Sequence, residues 1–178
     1  MRILYRIRQF WRTLSIKRDQ FELEQALALL NPEQRALFTQ MQASEQNHAV
    51  IMFHRLLQHG ENQPDLLVAA LLHDVGKLRY RLSPLERAMV VLVKVAMPKQ
   101  ARRWGELPPV GWDGVPPWRK AFIVAEHHAE WGAEMARKSG VSALTENLIR
   151  WHQQPNRQDA DAEETSLLHK LWLVDNES

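Results

Sequence analysis

His73 and Asp74 stand side by side at the end of an apolar run, Asp65-Leu66-Leu67-Val68-Ala69-Ala70-Leu71-Leu72, and Val75-Gly76-Lys77 follows them. An imidazole and a carboxylate set among apolar residues are costly to bury unless they are hydrogen-bonded, ion-paired or bound to a metal ion. The dipeptide alone leaves two readings open, a hydrogen-bonded pair that closes a helix and a pair of metal ligands. Neighbouring residues on a helix point about 100° apart, so both reach one ion only at a terminal or distorted turn. Gly76 is the residue whose backbone freedom permits such a turn. The chain has no cysteine. That excludes disulfides, thiolate zinc sites, iron–sulfur clusters and cysteine nucleophiles, and leaves His, Asp and Glu to hold any metal.

The elements that must position these residues read as helices. Only 7 of 178 residues are glycine and Ala, Leu, Glu, Gln and Arg are plentiful, which favours an all-α fold. A first helix is expected over residues 20–30. Asn31-Pro32-Glu33-Gln34 supplies a cap, a first-turn proline and a third-position Gln for a second, to about residue 41. Ser44 is placed to cap the helix carrying Asn47-His48-Ala49-Val50, which Gly60 ends, and Pro64 opens the helix that runs through Asp74. Ser83-Pro84-Leu85-Glu86 has capping-box spacing. Residues 98–117 hold five prolines with Gly105, Gly111 and Gly114 and read as a loop. Trp104, Trp112 and Trp118 in or beside it need the domain, a partner or a lipid interface to cover them. Three further helices are expected over 118–138, 142–153 and 163–174.

The length and the 45% hydrophobic content suit a single domain, residues 19–178, behind an N-terminal appendage of residues 1–18. The apolar runs 66–72 and 88–97 fall well short of the roughly 20 residues that span a bilayer. Residues 1–18 lack the apolar region of a secretory signal, so a cytoplasmic protein is expected. The net charge of +2 conceals segregation. Residues 1–18 carry 6 basic groups and no acid, 19–76 carry 2 against 8, 77–120 carry 10 against 3, and 121–178 carry 5 against 10. Ile3, Leu4, Ile7, Phe10, Trp11 and Leu14 recur at helical spacing among arginines, a basic amphipathic helix that lies on its own domain, on a partner, or peripherally on an anionic membrane. Lys94, Lys99, Arg102, Arg103, Arg119 and Lys120 form a basic set that also admits nucleic acid, whose binding would then fall steeply with salt.

With its apolar lead-in, Leu71-Leu72-His73-Asp74-Val75-Gly76-Lys77 resembles the signature of the HD-domain superfamily of metal-dependent phosphohydrolases, whose pattern is a His, then His-Asp, then a late Asp. By that resemblance His48 is the first ligand, His73 and Asp74 the central pair, and Asp175 in Leu171-Trp172-Leu173-Val174-Asp175 the last. The resemblance covers roughly residues 44–176 and implies an all-α, HD-domain-like helical bundle. Members such as the HD-GYP branch add two histidines for a second metal. His128, with Gly132 at the fourth position after it, and His152 resemble these. No Gly-Tyr-Pro follows His152, so cyclic-di-GMP hydrolysis is not implied.

The resemblance implies one or two divalent ions, and His and Asp ligands suit Mn, Fe, Co, Ni, Zn or Mg alike. With two ions bridged by Asp74, the implied chemistry is activation of water near neutral pH and in-line displacement at phosphorus. From its position, Lys77 supplies a point cation for phosphate charge. The expected activity is hydrolysis of a small phosphomonoester or phosphodiester, a nucleotide by analogy. The alternative is a catalytically silent module that binds a nucleotide or a partner at an anionic surface. His54, His59 and His169 read as surface or packing residues. Glu126, Glu130 and Glu134 read as a solvated stripe, and Trp131, Trp151 and Trp172 as core.

Overall fold

The computed structural model describes residues 20–108, 111–112 and 114–177, and the side chains from residue 22 onward. The amphipathic segment expected over residues 1–18 lies outside the described residues. The described chain is all-α: α1 Gln20–Ala28, α2 Pro32–Gln40, α3 Ala43–Gln58, α4 Pro64–Leu72, a 3-10 turn Val75–Arg79, α5 Pro84–Ala96, α6 Pro98–Gly105, α7 Pro117–Lys138, α8 Ala143–Trp151 and α9 Ala162–Glu177. None of these helices is long and apolar enough to cross a membrane.

Caps written in the sequence set most starts. Asn31 Oδ1 accepts the Gln34 N–H at 2.8 Å while Gln34 Oε1 accepts the Asn31 N–H at 3.1 Å, and Pro32 spends no donor at the first turn of α2. Gln63 Oε1 accepts the Leu66 N–H at 2.8 Å to start α4, and Ser83 with Glu86 closes the expected box on α5. At α3 the cap falls two residues earlier than expected, on Gln42. Glu45 Oε2 accepts the Gln42 N–H at 3.1 Å, so Ser44 lies inside the first turn.

Two helix assignments also differ from expectation. Residues 98–105 form α6 rather than a loop, because Pro98 occupies the first helical turn, where a missing N–H costs nothing, and Ala101 and Gly105 bury against α7. The irregular stretch begins only after Gly105. The α4 helix stops at Leu72 instead of running through Asp74, which leaves His73 as its C-cap and Asp74 as the cap of the 3-10 turn. The domain itself covers much of Trp104 and Trp112, whereas Trp118 stays 41% exposed. Trp104 packs edge-on to Trp118 and Phe122, with ring centroids 5.0 and 5.2 Å apart, and Trp112 packs on Trp131 at 5.7 Å.

The long helix α7 joins two cores. Its N-terminal half, Ala121 to Val124, packs with Leu82, Val90, Ala101 and Val115. Its C-terminal half, through Ala133 and Ala136, joins the larger core built from α1–α4, α8 and α9, where Leu66, Leu71, Leu148, Leu168 and Leu171 are fully buried. His128 lies on α7 between the two. The 3-10 turn rests on α7 backbone to backbone: a Cβ on Gly76 would stand 1.9 Å from the His128 carbonyl oxygen and 2.7 Å from the Gly132 nitrogen. Gly76 does not have a positive φ. Its role is therefore close approach, not the torsional freedom expected of it, and Gly132 supplies the matching gap.

Candidate metal centre

Five secondary-structure elements converge on one polar cluster. His48 comes from the middle of α3, His73 and Asp74 from the end of α4, His128 from α7, His152 from the C-cap of α8, and Asp175 from the last turn of α9. Their ligand atoms form two sets. Those of His48, His73 and Asp175 lie within 4.8 Å of one another, and so do those of Asp74, His128 and His152. Asp74 faces both sets, with Oδ2 3.5 Å from His73 Nε2 and Oδ1 3.3 Å from His128 Nε2. His48 Nε2 lies 2.9 Å and His73 Nε2 3.8 Å from Asp175 Oδ1. Neighbouring imidazoles are in ring contact, edge to face for His73 and His152 with centroids 5.1 Å apart and tilted for His128 and His152 at 5.3 Å.

The backbone decides the tautomers. His73 Nδ1 lies 3.0 Å from the Ala70 carbonyl, His128 Nδ1 2.9 Å from that of Val124, and His152 Nδ1 2.7 Å from that of Ile149. A carbonyl oxygen only accepts, so each Nδ1 carries the hydrogen, and the neutral ring then has its lone pair at Nε2. Burial lowers the His73 pKa against the pull of Asp74 and Asp175. Burial, with His73 and His128 nearby, pushes His152 down to about 3. His73 and His152 are therefore neutral near neutral pH. Burial alone would raise the carboxyl groups. Instead the Lys77 ammonium beside it holds Asp74 well below the usual range, and the hydrogen bond from His48 holds Asp175 low.

The result is imidazole lone pairs and carboxylate oxygens turned toward one another. Two acceptors 3.3–3.5 Å apart repel unless a cation or a shared proton lies between them. Imidazole nitrogen and carboxylate oxygen are borderline-to-hard donors, and the Nδ1–H to carbonyl bonds are the outer contacts that orient metal-binding histidines. The residues present thus fit one or two divalent ions. Lys77 Nζ sits 2.5 Å from Asp74 Oδ2, one turn along the 3-10 segment, with its side chain partly exposed.

The other histidines lie apart from this cluster. His127 Nε2 bonds the Gly105 carbonyl at 3.0 Å and its ring stacks on Trp131, which ties α6 to α7. His54 bonds the Glu22 carbonyl at 3.1 Å, His59 caps α3, and His169 lies against Trp172. The glutamate stripe on α7 is paired rather than merely solvated: Glu126 with Lys94, Glu130 with Arg150 and Glu134 with Arg79. Sequence reasoning missed Glu45 and Gln153. Glu45 is 3% exposed, pairs with Arg87 at 2.8 Å and feels the charges of Lys77 and Asp74. Its signal was available, since it lies one turn before His48 on the same helix face. Gln153 Nε2 donates to His128 Nε2 at 3.2 Å, again the acceptor side of that ring.

The family model for the HD domain matches residues 46–171, which is most of the chain and spans five of the six clustered residues, all but Asp175. The chain therefore belongs to the HD domain family, a superfamily of metal-dependent phosphohydrolases. Comparison with curated proteins and with solved structures gave no match.

Proposed function

We propose that this member of the HD domain family is a phosphohydrolase that works with one or two divalent ions, held by His48, His73, Asp74 and Asp175 on one side and by Asp74, His128 and His152 on the other. The observation that carries the reading is the set of Nε2 lone pairs fixed by backbone carbonyls and aimed at carboxylate oxygens. An ion bound there supplies Lewis acidity toward a phosphoryl oxygen and makes water a competent nucleophile near neutral pH.

The chain's own groups do the rest. Asp74, caught between α4 and α7, offers one carboxylate oxygen to each side. Lys77 is a cation already delivered to the edge of the cluster, where it meets phosphate charge. The His73 and His152 imidazoles stay neutral and so remain ligands rather than protonating. The substrate we propose is a phosphomonoester or phosphodiester of a nucleotide. Family chemistry supports the phosphoester part and Lys77 the charge. A chain without cysteine suits the cytoplasm, where we place it.

The test is metal content of gently purified protein by mass spectrometry, wild type beside Asp74→Ala, with hydrolysis of p-nitrophenyl phosphate and of bis-p-nitrophenyl phosphate in added Mn²⁺. Bound metal and turnover that both vanish in Asp74→Ala, with a loss of at least about a thousandfold in rate, is the expected result. A nucleotide panel then names the substrate. Folded wild-type protein that neither retains nor takes up metal would sink the proposal and leave a silent binding module.

A further inference from the structure

The α5 helix is apolar on two sides. Val90 turns inward to the second core, whereas Leu85 is 80%, Leu92 47% and Val95 47% exposed. At about 100° per residue, Leu85, Leu92 and Ala96 fall within about 40° of one another and away from Val90, while Met89 packs against the second core. Met97, 49% exposed, ends the stripe where α6 begins. The α5 and α6 helices pack on each other and both on α7, so the outward faces of both point away from α7. The outward face of α6 is Lys99, Arg102 and Arg103, all exposed, opposite the buried Ala101 and Gly105. Among the described residues no acidic side chain pairs with these three cations. Trp118, 41% exposed, and Leu107, 53% exposed, stand beyond them.

We propose that the outward faces of α5 and α6 form a docking surface for an anionic phospholipid bilayer, with Leu85, Leu92 and Val95 entering the interface and Lys99, Arg102 and Arg103 meeting lipid phosphates. Charge selects this occupant. An apolar stripe beside exposed cations matches a surface that is apolar beneath a negative layer. A second copy would bring two faces from residues 77–120 together, a segment with 10 basic groups against 3 acidic. Residues 1–18 carry 6 basic groups and no acid, so they also repel this face, and share its preference for an anionic surface. A nucleic-acid backbone matches the cations and leaves the leucines exposed. The inference is independent of the hydrolase reading.

The test is sedimentation of the full chain with sucrose-loaded vesicles of phosphatidylcholine, with and without about one-third phosphatidylglycerol. Binding to the anionic vesicles at least about tenfold above the neutral ones is expected, with a further loss of about tenfold in Leu85→Glu/Leu92→Glu and in Lys99→Glu/Arg102→Glu/Arg103→Glu. Both variants change exposed side chains, and circular dichroism checks that each keeps its helices. Ile7→Glu/Trp11→Glu in the full chain separates the N-terminal contribution. Vesicle binding that depends only on Ile7 and Trp11, or that ignores lipid charge, overturns the proposal. So does a Leu85→Glu/Leu92→Glu protein that binds vesicles normally but changes from dimer to monomer in velocity sedimentation, or duplex DNA binding lost in the charge-reversed α6 variant while vesicle binding persists.

Discussion

The region around His73 and Asp74 and the region around α5 and α6 hang on the same helix, α7, yet treat polar and apolar groups in opposite ways. Near the centre, His73, Asp74, His128 and His152 are each less than 5% exposed. Each Nδ1 of the three histidines is spoken for by a carbonyl, and no buried side-chain N or O among the described residues lacks a partner. Around α5 and α6, leucine and valine face solvent, and beside them Lys99, Arg102 and Arg103 have no acidic partner among the described residues. Burial explains the first arrangement: a polar group out of water must be satisfied, so the geometry becomes rigid and fully specified. The second lies in water, where nothing forces a pairing. Such a surface takes its order from what docks on it.

The two regions should respond differently to substitution, and the contrast is sharpest at the contact that seats the 3-10 turn. Gly76→Ala puts a methyl group 1.9 Å from the His128 carbonyl oxygen, backbone against backbone. The expected loss is more than about 4 kcal/mol in a urea melt, with loss of metal binding as Asp74 moves off His128. Stability close to wild type would show that the turn is not held as described.

A smaller effect is expected at the rim of the centre, where Arg87 balances the buried Glu45 at 2.8 Å. Arg87→Ala should cost about 3 kcal/mol because it leaves a carboxylate buried without its partner. Burial already raises the Glu45 pKa, with Lys77 and Arg87 opposing. Without Arg87 it rises further. A raised folded-state pKa favours the fold below the unfolded value and loses that contribution as pH rises through the folded value. The Arg87→Ala penalty should therefore be larger at pH 8 than at pH 5, and a pH-independent penalty would contradict it.

Asp65 joins the starts of α4 and α8, accepting the Ser142 hydroxyl, the Thr145 hydroxyl at 2.7 Å and the Gln63 amide at 3.1 Å. Burial opposes its charge, but these hydrogen bonds win and lower its pKa. The stabilisation is present above the ordinary aspartate range and is lost as pH falls through the depressed folded value. Asp65→Asn should cost about 1 kcal/mol at pH 7 and less in acid, read as urea midpoints from pH 7 downward. Smallest of all, Leu92→Glu should leave stability within about 0.5 kcal/mol of wild type. A large loss there would mean that the α5 stripe is packed rather than exposed, and would erase the contrast between the regions.

Much of this was legible in the sequence because local rules govern it. The boxes at Asn31 and Ser83, the prolines at 32, 64 and 84, and the stop at Gly60 act within a few residues, so these helices could be read directly. The six clustered residues were singled out because they resemble a family pattern, and the structure brings all six together. The loop expected over 98–117 gives way to a helix over 98–105, because five prolines in the stretch suggest a loop whereas Pro98 acts alone at a helix start. Other features lie beyond any local rule. Which oxygen of Asp74 faces which histidine depends on the end of α4 meeting α7, and that meeting depends on Gly76 and Gly132 letting two backbones touch. Sequence by itself determined residue types, most helix starts and the alternation of charge, because these are set by neighbours along the chain. Only the tertiary structure decided that three Nδ1 atoms point at carbonyls, that Arg87 covers Glu45, and that α5 keeps an apolar face outside, because each is a contact between segments that the chain order leaves far apart.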